Sequence, residues 1–226
     1  MIYFKDVSKI YPPDTVAVKD IHLQIEHGEF VSIVGQSGTG KTTLVKLMIA
    51  EEHPTSGEIL INDIDIAKMP VSEIPVLRRQ IGVIFQDFKL LEKKTVFENV
   101  AFALQVCGIS GSRINKIVPQ VLDIVGLDKK ARRYPGQLSG GEQQRVVIAR
   151  SLVHAPKIIV ADEPTGNLDT INTHEIIEIF KKINALGVTI VLVTHNREIV
   201  NMLRRRVVTL EQGVIVNDQL KGKYVI

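Results

Sequence analysis

Phe30-Val31-Ser32-Ile33-Val34, apolar apart from Ser32, runs into Gly35-Gln36-Ser37-Gly38-Thr39-Gly40-Lys41-Thr42, and Thr42 to Ala50 has helical character. Strand, glycine-rich turn and helix start together fit the phosphate-loop pattern G-x-x-x-x-G-K-[ST] in the context that pattern requires. The glycines let successive backbone N–H groups turn inward as an anion nest, and the helix adds its positive N-terminal end. Lys41 would neutralise β and γ phosphate charge, and Thr42 would set a hydroxyl on Mg²⁺. The candidate nucleotide contacts are therefore Gly35, Gln36, Ser37, Gly38, Thr39, Gly40, Lys41, Thr42 and Thr43.

Working outward, Ile158-Ile159-Val160-Ala161-Asp162-Glu163 is an apolar strand that ends in two carboxylates. A buried strand rarely ends so for packing alone, since each acid would have to be desolvated. Asp162 suits a hold on Mg²⁺, and Glu163 suits a base that polarises an attacking water. His195 follows a comparable run, Val188 to Thr194, and should leave the same sheet edge as the phosphate loop. Ligands of parallel sheets bind at the carboxyl ends of strands, so His195 is expected to sense the γ phosphate.

The rest of the chain fits around these points. Residues 1–34 read as short alternating strands, Ser56 to Ile66 as a hairpin turning at Asn62 and Asp63, and Ile81 to Phe85 as a buried strand. Thr95 to about Ala155 changes to helical spacing, in Val96 to Val106, Ile114 to Val125 and Gln143 to Val153. Strands return at Lys157 to Ala161 and Val188 to Thr194 around a helix over Thr173 to Leu186, and Arg206 to Ile226 reads as a hairpin about Gln212 and Gly213 with a polar tail. Alternating strands and helices imply an α/β fold with a parallel sheet.

The 226 residues are 45% hydrophobic and 23% charged, a globular composition that excludes disorder and collagen-like repeats. The net charge of +3 is too small to imply nucleic acid. No apolar run approaches a membrane span, and Lys5 and Asp6 sit where a secretory signal would need apolar residues. Cys107 is read as packing. His22, His27, His53, His154 and His174 show no metal-ligand spacing, and Arg204, Arg205 and Arg206 read as a solvated or ion-paired helix end rather than a lipid contact.

Leu138-Ser139-Gly140-Gly141-Glu142, followed by Gln143, Gln144 and Arg145, looks like the LSGGE/Q signature of the ABC ATPase family. With Gln86, the loop Gly166-Asn167-Leu168-Asp169 and His195, the chain resembles that family throughout and in its order. The resemblance implies a P-loop NTPase fold: a RecA-like parallel-sheet core, an N-terminal antiparallel β subdomain and a helical insertion. It divides the single domain into a core lobe, 1–86 and 157–226, and a helical subdomain, 87–156, carrying the signature. It also implies ATP and Mg²⁺ as ligands, hydrolysis to ADP and phosphate, and a head-to-tail dimer in which one copy's signature covers the other's nucleotide. Ser139, Gly140 and Gly141 precede an apolar helix and offer a second anion-binding helix N-terminus, with Glu142 beside them. Gln86 would contact Mg²⁺ or the attacking water, and Asp169 would lie at the dimer seam. Tyr11, in a turn, would stack on adenine; the alternative is a turn aromatic packed on Pro12.

Tyr11 to Pro13, Leu77 to Gln80, Phe85 to Leu91 and Ala161 to Asp169 are similar to the branch of cell-division, lipoprotein-releasing and macrolide-export ATPases. Arg78 to Asp87 followed by Leu90 and Leu91 looks most like its cell-division members. That implies an FtsX-like integral membrane partner docking near Asp87 to Asn99, placement on the inner face of the membrane through that partner, and indirect control of cell-wall hydrolases. A lipoprotein-releasing or macrolide-export role is the alternative.

Overall fold

The computed structural model describes residues 1–222, so the end of the expected polar tail lies outside the described residues. In chain order the elements are β1 (Ile2–Tyr11), β2 (Thr15–Ile25), β3 (Phe30–Val34), α1 (Lys41–Met48), β4 (Ser56–Ile61), β5 (Ile64–Asp65), α2 (Ile74–Arg78) and β6 (Ile81–Ile84). They continue as α3 (Val96–Val106), α4 (Gly111–Ile124), α5 (Gly140–Leu152), β7 (Ile158–Asp162), α6 (Thr170–Ala185), β8 (Thr189–Val193), α7 (Arg197–Leu203), β9 (Arg206–Glu211) and β10 (Val214–Gln219). Two compact units result: Met1–Arg78 with the chain from Gly187 onward, and Arg79–Leu186.

In the first unit an antiparallel sheet runs β2-β1-β4-β5. Its first two strands are long, not the short ones expected. Asp6 and Asp20 adopt positive φ, and the β1–β2 register shifts near them, which breaks the alternation a sequence reader follows. The second group runs β10-β9-β3-β8, with β3 parallel to both β8 and β9 and β10 antiparallel to β9. All five residues of β3 and all five of β8 are buried, as strands covered on both faces must be. Helix α1 packs on β2 and β4, and α7 sets Val200 against Val34 and Val207.

In the second unit β6 and β7 pair in parallel, with Ile81 opposite Ile158 and Ile84 opposite Ala161. Helix α5 packs against β6, α3, α4 and α6, burying Val146, Val147, Ile148 and Ala149. The unit Arg79–Leu186 thus holds β6 and β7 together with these helices. The triple arginine run is not one helix end. Arg204 closes α7 in the left-handed region, whereas Arg206 opens β9 and pairs with Glu29 at 3.0 Å and Asp218 at 2.6 Å. Among the described residues no helix is long and apolar enough to cross a membrane.

Candidate active site

In the first unit Gly40 is the N-cap of α1 at φ 98, a conformation that disfavours side chains, and a Cβ there would collide with the Ala17 carbonyl. Among the described residues no side chain caps this helix, and its first turn holds no acid, so its positive end is directed at the loop 35–40. Lys41 is buried and donates from Nζ to the carbonyls of Gly35 at 2.9 Å and Gln36 at 2.7 Å. Thr39 donates to the Gln36 carbonyl at 3.0 Å. Thr42 is exposed and Thr43 half-buried in the first turn. Ile33 lies opposite Val193, and the Thr194 N–H reaches the Ile33 carbonyl at 3.1 Å. Gly35 and His195 therefore leave the carboxyl ends of neighbouring parallel strands. Tyr11 is the last residue of β1, paired with Thr15, rather than a turn residue, and the Lys9 ammonium lies 5.0 Å from its ring centre.

In the second unit β7 delivers Asp162 buried at its end, and Glu163 follows at φ 49. Glutamate rarely occupies the left-handed region, and such backbone positions cluster at functional sites. Gln86 follows β6 and is exposed, and Asn167 donates from Nδ2 to its carbonyl at 3.4 Å. The loop after β7 is thereby tied to the loop after β6.

Helix α5 begins three residues earlier than its apolar periodicity indicates, so Gly140 and Gly141 form its first turn instead of preceding it. Ser139 is the N-cap, accepting the Glu142 N–H at 3.3 Å, while Glu142 accepts the Ser139 N–H at 3.0 Å. Glu142 also pairs with Lys130, which is the main reason its carboxyl lies below the usual glutamate range. Glu142 thus builds the turn that presents Ser139, Gly140 and Gly141. Asp169 caps α6, accepting the Asn172 N–H at 2.8 Å and its Nδ2 at 2.7 Å, and these bonds lower its pKa. A Cβ on Gly141 would strike the Asn172 side chain. Asn172 thus brings the signature turn and Asp169 together; the Asp-x-x-Asn spacing of an N-cap was the sequence signal available for it.

Asn99 is also more than a point on a surface. Fully buried, it accepts from the Leu91 N–H and donates to the carbonyls of Leu91, Lys94 and Thr95. With Val96 buried as well, the exposed part of the candidate docking stretch is concentrated in residues 87–94. Among the described residues no three His, Cys, Asp or Glu side chains gather as a metal cage. Mg²⁺ commonly uses one or two protein oxygens together with phosphate oxygens, and the Thr42 hydroxyl in the first unit and the Asp162 carboxylate in the second are each, taken singly, donors of that kind.

The ABC transporter family model matches residues 18–166. The chain is 54% identical over 224 residues to the cell division ATP-binding protein FtsE of Bacillus subtilis (strain 168), covering 99% of this chain and 98% of that protein. It is 46% identical over 224 residues to FtsE of Streptococcus pneumoniae serotype 2, covering 99% and 97%. Among solved structures it superposes with TM-score 0.88 and 35% identity on a dimeric ATP-binding cassette in a post-hydrolysis state bound to ADP and Pi, covering 99% of this chain and all of that one. With the family model matched over 18–166 and these relatives matched over nearly their whole length, the chain belongs to the ABC transporter family, in its FtsE group of cell-division ATP-binding proteins.

Proposed function

We propose that this ABC-type ATPase hydrolyses ATP as one subunit of a membrane-bound complex, acting as a twofold dimer with an FtsX-like integral membrane partner. The observation that carries the reading is the presence in one chain of two helix N-termini suited to anions. One is α1 behind Gly35–Thr42; the other is α5 behind its Ser139 cap. In a head-to-tail dimer each copy supplies one of the two to each nucleotide.

In this scheme Lys41 exchanges the Gly35 and Gln36 carbonyls for phosphate oxygens, and Tyr11 stacks on the base. Thr42, Gln86 and Asp162 would hold Mg²⁺, which supplies charge neutralisation at the phosphates when bound. Glu163 accepts a proton from the attacking water, with His195 and Gln86 directed at the γ phosphate. Ser139, Gly140, Gly141 and Asp169 act on the partner copy's nucleotide. The core lobe 1–86 and 157–226 and the helical subdomain 87–156 are the moving parts, and residues 87–94 pass ATP-driven closure to the membrane protein at the inner face. Cell-wall hydrolases outside the membrane are the distant output.

Glu163→Gln tests this directly. A tagged E163Q chain with ATP and Mg²⁺ should bind nucleotide, accumulate as a dimer and copurify a four-span FtsX-like protein from its native cell. Copurification of a lipoprotein-release or export permease would replace the biological role. An unchanged steady-state ATPase rate in E163Q would remove Glu163 from its place as base.

A further inference from the structure

Arg150 lies in the last turn of α5, at the end opposite Ser139. Its guanidinium forks onto two consecutive carbonyls, donating from Nη1 to Lys89 at 2.8 Å and from Nη2 to Phe88 at 3.1 Å. Among the described residues no carboxylate pairs with it, and burial works against its charge. A half-buried arginine committed to backbone carbonyls is fixing the path of a chain. That path is an unusual one. Lys89 sits at φ 46, in the left-handed region, and its ammonium lies 4.4 Å from the Phe85 ring centre. Phe85 and Lys89 thus close a small loop with Gln86 inside it. Asn167 holds the Gln86 carbonyl on one side, and Arg150 holds the opposite end of the loop.

We propose that Arg150 is a positioning residue for ATP hydrolysis, locking the Gln86 loop to the signature helix so that the two move as one piece. The proposal rests on the ATPase reading above and adds a residue that none of its motifs uses. Helix α5 is capped and packed on several neighbours, so a shift of its first turn travels about 15 Å along a stiff rod to Arg150. From there it passes through two hydrogen bonds to Phe88 and Lys89, and so to Gln86 and to the exposed stretch beginning at Asp87. Lysine cannot replace the fork, because a single ammonium lacks the planar pair of donors that fits two adjacent carbonyls.

The test uses the full chain with Arg150→Ala and Arg150→Lys. Loss of positioning with phosphate binding intact should lower kcat about tenfold in R150A and about threefold in R150K, while KM for ATP stays within about twofold. Backbone hydrogen exchange in E163Q should show ATP slowing the phosphate loop, the start of α5 and residues 85–91 together. In E163Q/R150A the first two should still respond and residues 85–91 should not. A kcat within about twofold of wild type in R150A, or an unchanged response of residues 85–91, would overturn the proposal. If R150A melts markedly lower, R150K decides on the same terms, since it keeps the charge and the helix propensity. Failure of ATP to slow exchange at the phosphate loop and α5 in E163Q itself would instead sink the ATPase reading, and this proposal with it.

Discussion

Gly141 shows how a single atom's space can reverse a propensity rule. It lies inside a helix at an ordinary negative φ, where alanine normally adds about 0.5–1 kcal/mol of stability. A methyl group there would collide with the Asn172 side chain, whose Nδ2 donates to the Asp169 carboxylate beside a second bond from the Asn172 backbone N–H. Gly141→Ala should therefore destabilise by about 1–3 kcal/mol, as overpacking does. Adding Asn172→Ala should restore part of that loss; simple additivity of the two changes in a denaturation cycle would refute the contact. Glu142 gives a second residue-scale expectation. Its carboxyl is held below the usual glutamate value, first by Lys130, so the pair stabilises fully above about pH 4.5 and that contribution fades as pH falls through the lower folded value. Lys130 is 45% exposed, so Lys130→Met should cost no more than about 1 kcal/mol at pH 7. Melting curves at descending pH should show the gap closing; a gap constant down to strongly acid pH would exclude the ion pair as its source. The signature glycines were legible in the sequence. The reason Gly141 must be one was not, because it lies in α6, some thirty residues along the chain.

Among the elements, legibility followed length and regularity. The spacing of α3 marks Val96–Val106 to the residue, because its apolar stripe is uninterrupted and Thr95 and Glu98 form a capping box at its start. The start of α5 was hidden by two glycines, which weaken the helical signal although Ser139 caps the turn. Helices α2 and α7, of five and seven residues, are too short for periodicity to show. The capping box of α3 carries its own prediction. The Thr95 hydroxyl accepts the Glu98 N–H at 3.3 Å and donates to its carboxylate at 2.9 Å, while the Thr95 N–H donates to that carboxylate at 2.8 Å. Thr95→Ala removes the hydroxyl from this arrangement and should destabilise by about 1 kcal/mol. The loss should appear as a lower denaturant midpoint with an unchanged slope. A lowered slope would mean that the helix had already come loose in the native state.

For the whole molecule, the candidate residues divide between the two compact units. The phosphate loop, Tyr11 and His195 belong to one, and Gln86, Asp162, Glu163, the signature and Asp169 to the other. The sequence made every one of these positions readable as a motif, but which copy's signature serves which phosphate loop is a property of two chains. Mixing inactive variants addresses it. Lys41→Ala removes the buried ammonium from the phosphate loop and leaves the signature untouched. Ser139→Asp keeps a good N-cap, so α5 should fold, yet sets a negative charge against the phosphate it would face. Each variant alone should be nearly inactive, since every site in its dimer lacks one half. Random mixing makes half the dimers hybrid, and each hybrid holds one intact site of two, so activity should return to about one quarter of wild type if the sites work independently. The recovered rate should also fall on dilution, as subunits separate. If the signature instead served its own chain's phosphate loop, every chain in the mixture would carry one defect in its only site, and mixing would restore nothing at any concentration.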